Sequence, residues 1–154
     1  MKIERMAEII IKKVETDEDL MAFINFPMSL YKNNSNFVPP LIRDEKNIWK
    51  REENPALAYS EAEQFLAYQN NRVVGRIAVM INHKEAEELG IRKVRFGWLD
   101  FIDNEEVSKA LIQKAIDYAQ SKNISKIEGP MGFTNLDKAG MLTMGFDKLA
   151  TMIG

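Results

Sequence analysis

Residues 94–132 read VRFGWLDF, then IDNEEVSKALIQKAIDYAQSKN, then ISKIEGPMG, and this stretch decides the fold. The first piece, 94–101, is apolar on both faces, as a strand buried on both sides must be. In the second, Val107, Leu111, Ala115, Ile116 and Ala119 recur every three or four residues and make one apolar helical stripe. Asp103 is expected to cap the first turn, with Glu106 three residues on, as in a capping box. Asn123, after Lys122, offers a left-handed stop. The third piece, 124–129, is again a strand. A strand, a helix and a strand at this spacing imply two parallel strands and a right-handed crossover.

Upstream of this unit, 63–68 and 72–82 are β-rich runs flanking Asn70-Asn71, whose side chains tolerate positive φ. That pattern predicts a hairpin. Gly75 inside the second run predicts a bulge or a close backbone approach. Residues 84–90 make a polar connection of one or two helical turns. Nearer the start, 7–14 contains Ile9, Ile10 and Ile11, a β-branched run expected as a strand. Thr16 then caps a helix with Asp17, Glu18 and Asp19 in its first turn and Leu20, Phe23 and Ile24 on its apolar face. Pro27 is expected to limit how far that helix runs without a kink. The stretch 30–41 is irregular, with a turn cluster at 33–36 and Pro39-Pro40 forcing an extended path. A short amphipathic helix follows in 41–51, carrying Ile42, Ile48 and Trp49, and Asn54-Pro55 ends it. Downstream, 137–144 is expected as a short helix weakened by Gly140, and 145–147 as a turn.

The chain of 154 residues is one domain by length, with 45% hydrophobic and 29% charged residues. A formal net charge of −2 gives no basic excess for nucleic acid or anionic lipid. Cysteine is absent and histidine occurs once, so thiolate chemistry and the usual zinc ligand sets have no residues to use. No apolar run reaches membrane-spanning length and the start has no signal-peptide core, so a cytoplasmic location is expected.

The element order is joined by FPMSLYKNNSNFVPPL (26–41), FLAYQNNRVVGRI (65–77), FGWLDFIDN (96–104), IEGPMG (127–132) and GMLTMGFD (140–147). Together they resemble the GCN5-related N-acetyltransferase (GNAT) superfamily. Within it, the match is to the amino-terminal part of longer bacterial acetyltransferase-like proteins. The resemblance implies a single α/β (α+β) domain over 1–154. Its mixed sheet would have an antiparallel hairpin and a β-α-β crossover, and would lack the last strands. It also implies transfer of an acyl group from acetyl-CoA, or another acyl-CoA, to a small-molecule amine. The coenzyme would sit where the central strand splays from its neighbour. Phe101, Ile102, Asn104, Gly129 and Asn135 would be the residues that contact it.

The residues at that helix start depart from the superfamily's pattern. Ile102-Asp103-Asn104-Glu105-Glu106 contains three acids and no glycine or basic residue. Each acid stabilises the helix by about 0.3–1 kcal/mol, and each would repel a pyrophosphate. Weak or absent coenzyme A binding is therefore expected. Two functions stand side by side: an acyl-CoA-dependent N-acyltransferase with a degenerate pyrophosphate loop, or a non-catalytic interaction or structural domain of a longer protein.

Among single residues, Asp100 stands in an otherwise apolar strand, where burial could make it a general base for an amine. The commoner fate of such a carboxylate is a structural hydrogen bond. Tyr31, beside the Asn-rich loop, could give a proton to a leaving thiolate, whereas Tyr118 reads as core. His83 could act as acid or base but stands in a polar connection. The run 129–132 is either a sharp turn or a place for close approach of a ligand at the sheet's carboxyl edge. Met131, Met141, Met144 and Met152 read as core filler or as part of an incomplete core. With no strand to follow 124–129, and with Met141, Leu142, Met144, Phe146, Leu149, Met152 and Ile153 short of cover, self-association as a dimer is expected.

Overall fold

The computed structural model describes residues 8–148. Five strands form one mixed sheet in the order β1-β2-β3-β4-β5: β1 (Ile10–Lys13), β2 (Ser60–Gln69), β3 (Arg72–Asn82), β4 (Val94–Phe101) and β5 (Ile127–Glu128). The first four run antiparallel to their neighbours, and β5 is parallel to β4. The helices are α1 (Asp17–Leu30), α2 (Ile42–Ile48), α3 (His83–Leu89) and α4 (Glu105–Ser121). The mixed sheet with its crossover helix is the architecture the sequence implies.

Two apolar cores lie on opposite faces of the sheet. On one, Val107, Leu111, Ala115, Tyr118 and Ala119 of α4 pack on Phe65, Ile77, Val79, Ile81 and Val94. On the other, Phe23 and Ile24 of α1 pack with Leu66, Ala78, Met80, Trp98 and Phe133. Burying each large side chain contributes about 1.5–3 kcal/mol, so both layers are held mainly by apolar packing.

Local chemistry accounts for most boundaries. Asn70 (φ 51) and Asn71 (φ 60) both take the left-handed conformation that a two-residue hairpin turn requires. At Gly75 the β2–β3 register slips, and an added Cβ would stand 2.8 Å from Leu111 Cδ1, so bulge and close approach coincide. Thr16 and Asp19 make a reciprocal capping box at the start of α1. Asn123 has φ 54 just past α4.

Pro27 lies inside α1, which continues to Leu30. Three expectations are corrected. Asn104, not Asp103, caps α4: its Oδ1 accepts the Glu106 N–H at 3.0 Å. β4 is not wholly apolar toward its neighbours, because Arg95 is buried within it. Residues 137–144 form no helix, since Lys138 (φ 44) and Gly140 (φ 93) both lie outside helical φ. The expectations for Leu149, Met152 and Ile153 lie outside the described residues.

Candidate functional site

The site is set by a bulge in β4. Arg76 pairs with Asp100 and Ala78 with Gly97, so three steps on β4 face two on β3. The extra residue is accommodated at Trp98, whose φ is 48. The bulge reverses the alternation of side chains. Phe96, Leu99 and Phe101 pack against the α4 core, while Trp98 joins the α1 core on the other face. Asp100 follows Trp98 to that face, where α1 waits with Tyr31 at its end.

Asp100 and Tyr31, distant in sequence, meet there. The Tyr31 hydroxyl donates to Asp100 Oδ1 at 2.8 Å. Arg76 Nε and Nη2 both approach Asp100 Oδ2 at 2.8 Å. Both carboxylate oxygens are thus already accepting. Burial, followed by the nearby Asp100 charge, pushes the Tyr31 hydroxyl well above its ordinary range, so it stays protonated.

Arg76 was not singled out from the sequence, although a charge in the apolar run VVGRIAVMI needs a buried partner. Its third nitrogen, Nη1, donates to the Phe23 carbonyl at 2.8 Å. That carbonyl is the one left free in α1 because Pro27 has no N–H. Arg76 therefore closes the gap that Pro27 opens, and this is why the helix runs on.

Beyond Arg95↔Glu128, β5 no longer accompanies β4. The strand ends at Phe101. Ile102 N–H donates to Val74 O at 2.9 Å and Asn104 N–H to Ile102 O at 2.6 Å. Phe101, Ile102 and Asn104 thus lie together at the entry to α4, a short walk along β4 from Asp100. Glu105 and Glu106 are engaged: Lys109 reaches Glu105 at 2.9 Å and Glu106 at 3.3 Å. Asn104 spends its side chain on the helix's own donor.

Gly129 and Asn135 belong to the other end of β4. Gly129 lies so close to that strand that an added Cβ would fall 2.3 Å from Phe96 O. Asn135 Oδ1 accepts from Arg95 Nη2 at 2.7 Å, and the same nitrogen meets Glu85 Oε1 at 3.0 Å. Met131 N–H donates to Phe96 O at 2.9 Å, and Gly97 packs against the Met131 carbonyl. The 129–132 run therefore covers the edge of β4 around Phe96–Gly97. His83 begins α3, half-exposed, 3.9 Å from Glu61. Tyr118 is buried in the α4 core, as expected of a packing residue.

An antiparallel four-strand meander, a parallel strand that parts from a bulged β4, and a crossover helix starting at that parting constitute the GNAT acetyltransferase fold. No model of a known protein family matches the chain. Over 129 residues it is 36% identical to Protein YghO of Escherichia coli (strain K12), covering 84% of this chain and 33% of that protein. The chain thus spans about a third of the length of this curated relative. Among solved structures, it resembles a predicted acetyltransferase from Clostridium acetobutylicum solved with acetyl-CoA. That match has TM-score 0.52 and 14% identity over 79% of each chain. It also resembles FeeM, an N-acyl amino acid synthase from uncultured soil microbes, with TM-score 0.56, 9% identity, and 79% and 70% of the two chains covered.

Proposed function

We propose that this chain is an acyl-CoA-dependent N-acyltransferase-like domain whose coenzyme site is degenerate, so that on its own it is weakly active or inactive. The observation that carries this reading is the start of α4. A helix N-terminus holds a pyrophosphate through free N–H donors and a favourable dipole. Here Asn104 takes the Glu106 N–H, and Glu105 and Glu106 add negative charge where the phosphates would lie. Lys109 balances part of that charge from one turn further on. The residues present therefore fit an anion poorly, and Phe101, Ile102 and Asn104 serve the strand end and the cap. Asp100 and Tyr31 are the candidate proton-handling pair, and they take that role only when the Arg76 ion pair opens, because both carboxylate oxygens are already accepting and Tyr31 stays protonated. Gly129 and Asn135 brace the facing edge.

Titration calorimetry with acetyl-CoA tests the reading. The expected result is no binding tighter than high micromolar. A submicromolar dissociation constant would overturn it.

A second reading, a non-catalytic interaction or structural domain, is favoured by one observation. Leu136, Met141, Leu142, Met144 and Phe146 are all more than half exposed. Apolar residues grouped in this way suit a partner surface, either a second copy of the chain or another part of a longer protein.

A further inference from the structure

Glu45 is a buried carboxylate that neither reading has used. It sits on α2 with only 3% of its surface exposed. The indole Nε1–H of Trp98 donates to its Oε2 at 3.2 Å. Its Oε1 accepts from the ammonium of Lys138, which arrives from the irregular segment after β5. The same ammonium lies 4.9 Å from the centre of the Trp98 ring. Lys138 keeps 35% of its side chain exposed against 4% for Glu45, so Lys138 is the open side of an otherwise covered arrangement.

A carboxylate fixed by an N–H donor, with an aromatic face beside it, has the elements that recognise a primary ammonium: a charge-assisted hydrogen bond and a cation–π contact. The bulge at Trp98 places it on the same face of the sheet as Asp100 and Tyr31. We propose that Glu45 and the face of Trp98 form a receptor for a primary alkylammonium, and that Lys138 is its tethered occupant, displaced when the amine of a ligand enters. A tethered group competes at an effective concentration in the millimolar range, so the native chain binds a free amine weakly and loss of Lys138 tightens the binding. The proposal deepens the acyltransferase reading by giving the acceptor amine a place, and rests on that reading only for this use.

The test is an NMR titration of the Trp98 indole N–H, assigned with Trp49→Phe, using n-propylammonium chloride against sodium chloride at equal ionic strength. In Lys138→Ala the resonance moves saturably, with half-saturation about tenfold lower than in the native chain. In Lys138→Ala/Glu45→Gln it does not move. No saturable movement in the native chain or in Lys138→Ala, or equal movement with Glu45→Gln present, overturns the proposal. Should Lys138→Ala fail to fold, the native chain decides: saturable movement upholds the receptor and none overturns it. Acyl transfer does not enter the readout. The two readings fail separately: a chain that binds propylammonium but also binds acetyl-CoA with a submicromolar dissociation constant keeps the receptor and overturns the degenerate coenzyme site.

Discussion

Arg76 ties three parts of the molecule together through one side chain. Its Nε and Nη2 hold Asp100, its Nη1 holds the carbonyl of Phe23, and its guanidinium lies 5.0 Å from the centre of the Phe23 ring. It is 5% exposed. Removing one partner of a buried pair costs more than the pair contributes, because the other charge is left uncompensated. Arg76→Met is therefore expected to lower unfolding free energy by about 3–5 kcal/mol. Arg76→Met/Asp100→Leu should recover most of that loss, since no charge is then stranded. Urea unfolding of the two variants checks this. Equal losses in both would mean that the contact to Phe23 O, rather than the ion pair, carries the stability.

Elements whose causes are local were legible in the sequence. The Asn70-Asn71 turn, the Thr16 cap, the Gly75 bulge and the stripe of α4 each depend on residues within a few positions of one another. The run of α1 past Pro27 was not legible, because it depends on Arg76, far away in the chain. The helix expected at 137–144 is lost to the positive φ of Lys138 and Gly140, and Lys138 pairs instead with Glu45 on α2. In the candidate site, Asp100 and Tyr31 could be named singly. Their meeting was hidden because the Trp98 bulge, which turns Asp100 toward α1, leaves no periodicity to read. The shortest strand, β5, has a charged clasp: Lys93 meets Glu128 at 2.6 Å and Glu85 at 3.0 Å. The hydrogen bond from Lys93 holds the Glu128 carboxyl below its ordinary value of 4.5. A carboxyl lowered in the folded state contributes stability above its unfolded pKa and loses it as pH falls through the folded one. Stability is thus expected to drop on acidification below about pH 4.5, and Glu128→Gln to make that drop shallower. Urea midpoints at about pH 6 and about pH 3 measure it, and identical drops in the two proteins would show that the clasp contributes nothing.

Among the described residues, Leu136, Met141, Leu142, Met144 and Phe146 form a run of exposed apolar side chains after β5, with Leu136 90% and Met144 81% exposed, and Val38 at 79% and Leu41 at 67% make a smaller group ahead of α2. β5 is also the last strand of the sheet among the described residues, with two paired positions. An open edge beside an apolar patch favours association, and a twofold contact using one patch twice is the simplest closed form. Sedimentation equilibrium at micromolar concentration is expected to show a dimer that Met144→Lys/Phe146→Lys converts to monomer. A monomer from the outset would reject the dimer and leave the patch to a different partner. The two cores also differ in what they let an observer see. Both tryptophans of the chain, Trp49 and Trp98, stand 4.7 Å apart, ring centre to ring centre, on the α1–α2 side of the sheet. The core beneath α4 contains none. Tryptophan fluorescence is therefore a one-sided optical gauge of this protein: it follows the layer that holds Glu45, Trp98 and Lys138, and the opposite layer, whose aromatic side chains are Phe and Tyr, adds no tryptophan emission.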